Sequence, residues 1–341
     1  MNITQIGLDI AKDVFQIHGI DKDGKVRLQK QISRNKMLDF FANLPSCLIG
    51  MEACSGAHYW ARELTKFGHE VRLMAPQFVS PYRKRGPSGK NDRNDAEAIC
   101  EAVGRPNMRF VPVKSVEQQG VLMAHRAREL MVANRTALVS QIRGLLGEFG
   151  IVVPSGIAQI RRALPHILGD AENGLVALVR ETFSKMQKQL SDLDAEIHAY
   201  DERLDALSKS MEAPKRLMKC PGIGAITATA VVATAGDAKT FKNGRQFSAW
   251  LGLVPRQNSS GGKNRLGRIS KRGDPYLRRL LIHGARAVLR VTNGRQDKKS
   301  RWAERVKARR GYNVAAVALA AKHARMIWAM LAKGEVYRMP V

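Results

Sequence analysis

Cysteine is scarce in this chain of 341 residues: Cys47, Cys54, Cys100 and Cys220 stand far apart, with no CxxC pair among them. That spacing excludes a zinc ribbon and offers no disulfide framework. A long apolar run free of charge is also missing. The most apolar late stretch, Val314 to Leu331, carries Lys322, His323 and Arg325 near its middle, so it reads as a soluble helix rather than a membrane span. The opening MNITQIGLDIAKDVF has no basic segment leading into an apolar one and is not read as a signal peptide. With no lipidation motif and no basic amphipathic anchor either, the expectation is a cytoplasmic protein without a membrane partner. Acidic residues are few: 30 Asp and Glu face 57 Lys and Arg, a formal net charge of +27. Such an excess selects polyanions, because neutralising phosphates releases their condensed counterions. The charge is concentrated, with 20 Lys or Arg between Lys242 and Arg310 against only Asp274, Asp297 and Glu304. Nucleic acid is therefore the expected partner.

Along the chain, Ile3 to Ile10, Val14 to Ile20 and Val26 to Ile32 read as strands, with a turn at Asp21 to Gly24. Ser46 to Met51 is a short apolar run suited to a buried strand, Ala57 to Phe67 is helical, Gly68 stops it, and Glu70 to Met74 returns to strand. Asp95 to Val103 then reads as helix. This is an α/β pattern with a mixed sheet, for which a ribonuclease H-like fold is one solution. Val116 to Gly150 reads as one long helix bearing Arg126, Arg128, Arg135 and Arg143, followed by an irregular stretch from Pro154 to Gly174. Phe183, Met186, Leu190, Leu193, Ile197, Tyr200, Leu204, Leu207 and Met211 then alternate steps of three and four, the seam of a coiled coil and a candidate assembly element. The alternative use of that seam is a helical hairpin with the long helix before it. Pro214 is expected to break this helix and open a helical, basic last segment. The expected division is 1–112 for the α/β domain, 113–213 for the long helices with the coiled coil, and 214–341 for the basic domain.

Four carboxylates stand out. Asp9 lies within the first apolar strand, in IGLDIAK, where a merely solvated aspartate is out of place. Glu52 follows the next buried run, in LIGMEACSG, and Asp92 and Asp95 lie at i and i+3 in GKNDRNDAEAI. If a helix starts near Asp92, both aspartates share a face. Taken singly, Glu52 reads equally well as the start of a helix, and either aspartate as a helix cap. As a set at strand ends and on an adjacent helix, they form a cluster that bare anions disfavour and a hard divalent cation, Mg²⁺ or Mn²⁺, stabilises. Two such ions stabilise both the attacking and the leaving oxygen at a phosphodiester.

In the basic segment, Cys220-Pro221-Gly222-Ile223-Gly224 precedes an Ala/Val/Thr-rich helix. A helix-hairpin-helix with Gly222, Ile223 and Gly224 at its turn would present backbone N–H groups to a phosphate without reading the base. An ordinary helical connection is the plain alternative. Further on, Ser259 and Ser260 stand beside Gly261 and Gly262, and Lys263, Arg265, Arg268, Lys271 and Arg272 follow. A serine attacking phosphorus needs activation and nearby cations. No histidine lies close in sequence as a base, so spacing alone favours a loop that only binds phosphate.

Taken together, GLDIAKDVF, MEACSG, KNDRNDAEAI and the run from CPGIG through FSAWLGLVPRQNSSGGKNRLGRISKRGDPYLRRLL resemble the DEDD transposases of insertion sequence family 110, relatives of the Piv-type DNA invertases. The resemblance runs nearly end to end. It implies an amino-terminal RuvC-like domain and a carboxy-terminal transposase domain. The family's four acids fall on Asp9, Glu52, Asp92 and Asp95, and its serine nucleophile on Ser260, with adjacent Ser259 one residue away. It further implies a phosphoserine intermediate, a composite site between protomers of a dimer or tetramer, and donor and target double-stranded DNA as substrates. A structured guide RNA encoded by the element would choose the sites by base pairing, with the long Arg-bearing helix and Arg83, Lys84 and Arg85 as RNA contacts. The alternative is a RuvC-like structure-specific endonuclease in which water attacks and the serines only hold phosphate.

Overall fold

A computed structural model describes residues 3–84 and 91–338. The chain divides into two compact units, Met1–Val116 and Glu117–Val341. The first holds a six-stranded sheet in the order β3-β2-β1-β4-β5-β6. Its strands are β1 (Gln5–Ile10), β2 (Val14–Ile20), β3 (Val26–Ser33), β4 (Leu48–Glu52), β5 (Glu70–Met74) and β6 (Phe110–Val111). Strands β1, β2 and β3 are antiparallel neighbours, β1-β4 and β4-β5 are parallel, and β6 returns antiparallel to β5. This mixed sheet is compatible with the expected RuvC-like domain.

Side chains alternate across the pleat, and the two faces are used differently. Ile6, Leu8, Phe15, Ile17, Ile49 and Met51 form one core with α1 (Met37–Ala42) and α2 (Ala57–Lys66), which contribute Phe41, Trp60 and Leu64. The short α3 (Pro76–Val79) precedes α4 (Asp92–Val103), which covers the other face. Two glycines permit that cover. A Cβ on Gly7 would lie 2.1 Å from the Ala96 carbonyl oxygen of α4, and one on Gly50 would lie 2.6 Å from Val103 Cβ.

The second unit begins with α5 (Val116–Glu148), the long helix expected from sequence. The stretch read as irregular contains α6 (Ile157–Gly169), an amphipathic helix that tolerates Pro165 while burying Ile160 and Leu164. Helix α7 (Ala177–Ser210) carries the heptad seam, and its seam residues Phe183, Leu190, Ile197 and Leu204 are buried. Within the chain, Phe183 and Leu190 pack with Leu138, Val139, Ile142 and Leu146 of α5 and Ile160 and Leu164 of α6. Arg128 pairs with Asp201 and Arg135 with Asp194, so positions advance on α5 as they recede on α7: the two helices run antiparallel. The alternative use of the seam, an intramolecular helical hairpin with α5, is present and already takes up the first half of the seam.

Helix α7 ends at Ser210, where Met211 turns extended, so Pro214 does not make the break. It sits inside α8 (Glu212–Leu217). Then follow α9 (Ala225–Ala235), α10 (Gly244–Trp250), a two-stranded hairpin of β7 (Pro255–Gln257) and β8 (Leu266–Ile269), α11 (Pro275–Leu289), α12 (Lys298–Arg310) and α13 (Tyr312–Ala332). Helix α13 is long and apolar enough to cross a membrane, yet Ala315, Ala316, Leu319, Ala320, Ile327 and Met330 are buried in the core with Leu277, Leu281 and Phe247. His323, one of its polar interruptions, is wholly buried, and burial pushes its pKa down to about 3, so the ring is neutral. A polar staple crosses the same core. Thr229 Oγ1 donates to the Ala225 carbonyl, so it accepts from His125 Nε2, leaving His125 Nδ1 to accept from the Tyr276 hydroxyl at 2.9 Å.

The close approach of α4 sets a stability prediction. Gly7→Ala should destabilise the protein by about 3 kcal/mol, because the new methyl meets backbone that cannot yield locally. Gly120→Ala on α5, where a Cβ meets open space, should leave stability equal or slightly raised. Urea melts followed by circular dichroism would check both, and a Gly7→Ala loss below about 1 kcal/mol would refute the account of α4 docking.

Candidate functional site

Because side chains alternate, Asp9 points to the same face as Gly7, and Glu52 to the same face as Gly50. That is the face covered by α4. Strands β1 and β4 are parallel neighbours, so the two acids emerge at adjacent carboxyl ends. Helix α4 starts at Asp92, and its cap is Asn91, whose side chain accepts from the Asn94 backbone N–H at 2.8 Å. With the cap taken by Asn91, the cap reading of Asp92 and Asp95 falls away and both carboxylates are left for other work.

One carboxylate oxygen from each of Asp9, Asp92 and Asp95 lies within 4.8 Å of the others. Asp95 is buried, Asp9 half-buried and Asp92 exposed, so the cluster opens on one side to solvent. Glu52 is drawn to Arg83, whose Nη2 donates to Glu52 Oε1 at 2.8 Å. The same guanidinium places Nε 3.0 Å from Asp95 Oδ1, an ion pair whose N–H is not aligned as a hydrogen bond. Burial and then the negative charges of Asp95, Asp92 and Glu52 push the Asp9 pKa up to about 6, opposed by Arg83. Clustered hard oxygens that resist joint ionisation are the donor set that suits Mg²⁺ or Mn²⁺. An octahedral Mg²⁺ spans roughly 4.2 Å between opposite oxygens, so a small closure of the three aspartates would seat one. The residues present therefore fit such an ion.

The serine segment folds as the hairpin of β7 and β8. Ser260 pairs with Lys263 across it, and Gly261 and Gly262 have φ of 53° and 73°. Two consecutive positive φ values at the centre of a two-residue loop are what a type I′ turn requires, which explains the glycine pair. The two serines differ. Ser259 Oγ accepts from the Arg265 backbone N–H at 3.2 Å and from Gln257 Nε2 at 3.0 Å, and contacts Asn264 Oδ1 at 3.3 Å. Ser260 is exposed at the turn, and its hydroxyl has no hydrogen bond among the described residues. Lys263, Arg265, Arg268, Lys271 and Arg272 form no ion pair among the described residues, and all five are exposed. Lys271 is the one non-glycine described with positive φ, at 54°.

Gly222, Ile223 and Gly224 lie between α8 and α9. Gly222 has φ 89° and abuts Gly284 of α11, where a Cβ would come 2.7 Å from its carbonyl oxygen, and Ile223 is core. Gly224 alone of the three is exposed, at the uncapped start of α9. The acids and Ser260 belong to different compact units.

Sequence reasoning placed Arg83 among RNA contacts, whereas the structure places it in the acid cluster. Lys84 pairs with Glu97 on α4, and Arg85 lies outside the described residues. On α5, Arg128 and Arg135 are engaged by Asp201 and Asp194, Arg143 is half-buried, and Arg126 is exposed. Helix α12 lies inside the basic stretch 242–310 but was not singled out; its exposed Lys298, Arg301, Arg305 and Arg309 recur on one face without ion pairs among the described residues. Their spacing of three and four residues was visible, but it was submerged in the surrounding positive charge.

Two families match the chain: one described as "Transposase" over residues 6–151, and the "Transposase IS116/IS110/IS902 family" over residues 214–301. The first range contains all four acids and the second contains Ser260. The chain is 51% identical over 339 residues to a "Probable family 20 transposase" of Pseudomonas aeruginosa, covering 99% of each. It is 45% identical to the "Transposase for insertion sequence element IS1111A" of Coxiella burnetii, over 99% of this chain and 92% of that one. A further relative, the "Transposase for insertion sequence element IS1328" of Yersinia enterocolitica, is 40% identical over 98% of this chain and 99% of that one.

The raised pKa of Asp9 carries a pH signature in metal-free protein. The folded carboxyl holds its proton up to about pH 6, against 3.8 for the ordinary group. Its contribution to stability is therefore full below the ordinary value and is lost as pH rises through about 6. Asp9→Asn, which stays neutral, should gain melting temperature relative to wild type between about pH 4 and about pH 7 in chelator. A difference between the two proteins that stays constant with pH would refute the shift.

Proposed function

Since the chain belongs to the IS116/IS110/IS902 family of transposases and is a DNA transposase, we propose that it cuts and rejoins DNA through Ser260. Asp9, Glu52, Asp92 and Asp95 would hold Mg²⁺ or Mn²⁺. The observation that carries this reading is the convergence of Asp9, Asp92 and Asp95 within 4.8 Å on a face cleared by glycine. When bound, the ion supplies charge stabilisation to oxygens at the reacting phosphorus. Ser260 Oγ forms the new bond to phosphorus while the bond to one deoxyribose oxygen breaks, and that oxygen leaves with a proton. The protein–DNA ester retains the phosphodiester energy, and attack by a deoxyribose hydroxyl on it releases Ser260 and rejoins the strand. The choice of Ser260 over Ser259 is supported by hydrogen bonding, since Ser259 is tied into the hairpin stem.

Lys263, Arg265, Arg268, Lys271 and Arg272 would bind DNA phosphates beside the serine, with Gly224 and its neighbours Gly222 and Ile223 offering a second backbone contact. Donor and target duplexes, a homo-oligomer of two or four chains, a cytoplasmic setting and a structured guide RNA complete the reading. They rest on the family resemblance, together with the division into α/β, long-helix and basic regions. The ion-paired state of Arg128 and Arg135 leaves Arg126 as the better RNA contact on α5.

A suicide DNA substrate and denaturing electrophoresis test the nucleophile. Ser260→Ala should lose all covalent adduct and all strand transfer, whereas Ser259→Ala should keep the adduct at reduced yield through a loosened hairpin. Full cleavage by Ser260→Ala would discard the ester and favour a water-attacking endonuclease. Affinity provides an independent check. Removing Arg268 and Arg272 together should flatten the dependence of log K on log salt by roughly 0.9 for each phosphate no longer neutralised. An unchanged slope would move the DNA path elsewhere.

A further inference from the structure

Among the described residues, Arg83 is ion-paired with two of the four acids of the candidate metal centre, Glu52 and Asp95. It follows the short turn after α3 and reaches Glu52 at the end of β4 and Asp95 in the first turn of α4. Three acids converge on one point, whereas Glu52 makes its 2.8 Å bond to the guanidinium. Asp95 belongs to both groupings. The guanidinium occupies Glu52 Oε1 and lies against Asp95 Oδ1, so a divalent ion that takes both carboxylates as ligands competes with it for them.

We propose that Arg83 is an exchangeable counter-ion: it holds Glu52 and Asp95 in the metal-free protein and leaves them when a divalent cation enters. This rests on the metal reading of the four acids and adds an order to it, with release of Arg83 linked to completion of the ligand set by Glu52. Four features support exchange over permanent pairing. The guanidinium cannot shed its proton, so only movement removes its charge. Its side chain keeps 32% of its surface exposed, which leaves a way out to solvent. The Nε–H is not aligned on Asp95, so one of its two contacts is electrostatic only. Next to it, Lys84 holds Glu97 of α4 through both carboxylate oxygens, at 2.7 and 2.8 Å, tethering the backbone while the Arg83 side chain moves. As a positioning residue, Arg83 keeps the cluster neutralised enough to fold without metal, and in doing so lowers its apparent affinity for the ion.

Mn²⁺ titrated into the full-length protein, with free ion followed by electron paramagnetic resonance, tests this without any turnover. Arg83→Gln should bind Mn²⁺ about tenfold more tightly than wild type, and Arg83→Lys, which keeps the charge but loses the fork, should fall between them. The discriminating step is the same substitution in a Glu52→Gln background, where most of the gain should vanish because the held ligand is gone. In chelator, Arg83→Gln should melt below wild type, with saturating Mn²⁺ closing the gap. Equal affinity of wild type and Arg83→Gln would overturn the proposal while leaving the metal reading intact. An equal gain in both backgrounds would also overturn it, by reducing Arg83 to general repulsion. Absence of Mn²⁺ binding in every variant would sink the metal reading and the exchange together.

Discussion

Helix α4 can bring Asp92 and Asp95 to Asp9 because Gly7 and Gly50 leave the sheet bare beneath it. The pleat then does the rest. Two residues beyond each glycine, on the same face, stand Asp9 and Glu52, so the surface that admits the helix is continuous with the surface that carries the acids. Packing and chemistry are the same arrangement here. The docking energy of α4, from Ile99, Ala102 and Val103 in a small apolar cluster, must overcome the repulsion it creates by bringing carboxylates together. Burial, and after it that repulsion, raises the pKa of Asp9, and Arg83 opposes the rise.

Arginine serves two ends in this protein, distinguishable by partner rather than by position in sequence. On α5, Arg128 and Arg135 are tied to aspartates of α7 and specify which residues of the antiparallel pair face each other. On the serine hairpin and along α12, exposed cations recur without acids beside them among the described residues. The one acid within α12, Glu304, turns to Thr292 and Lys307. A paired arginine has little left to offer a phosphate, whereas an unpaired one on an exposed face lowers the free energy of any polyanion laid against it. Net charge alone could not separate these cases.

Much of the first unit was legible because its strands are short, apolar and bounded by turns, so period and punctuation agree. Of the four acids named as a set, Asp9, Asp92 and Asp95 come within 4.8 Å of one another while Glu52 bonds Arg83, and the register of β1 with β4 puts Asp9 and Glu52 at adjacent strand ends. What could not be read was partnership. The seam of α7 has coiled-coil spacing, and spacing is indifferent to whether the opposing helix lies in the same chain. Helix α6, hidden behind Pro165, packs with α5 against the first half of that seam and so completes the hairpin. Arg83 was invisible as a cluster member for a similar reason: a basic residue in a basic run has no local mark of the acid it will meet. Likewise, PGIG announced a turn, but the demand for glycine at Gly222 comes from Gly284 on α11, a contact no local pattern contains.

The pair Ser259-Ser260 shows how neighbouring identical residues acquire different surroundings. In a two-residue turn the flanking positions are held by ladder geometry, so Ser260 is fixed at the last rung, next to two glycines of positive φ. The preceding residue faces the other side of the strand, where Gln257, Asn264 and the Arg265 backbone take up its hydroxyl. A hydroxyl with those partners would have to break them before reaching phosphorus, while one without them loses only water. Rigidity at Ser259 and availability at Ser260 are therefore two consequences of one turn. The short, glycine-centred loop confers both, which a longer and more mobile loop of the same composition would not.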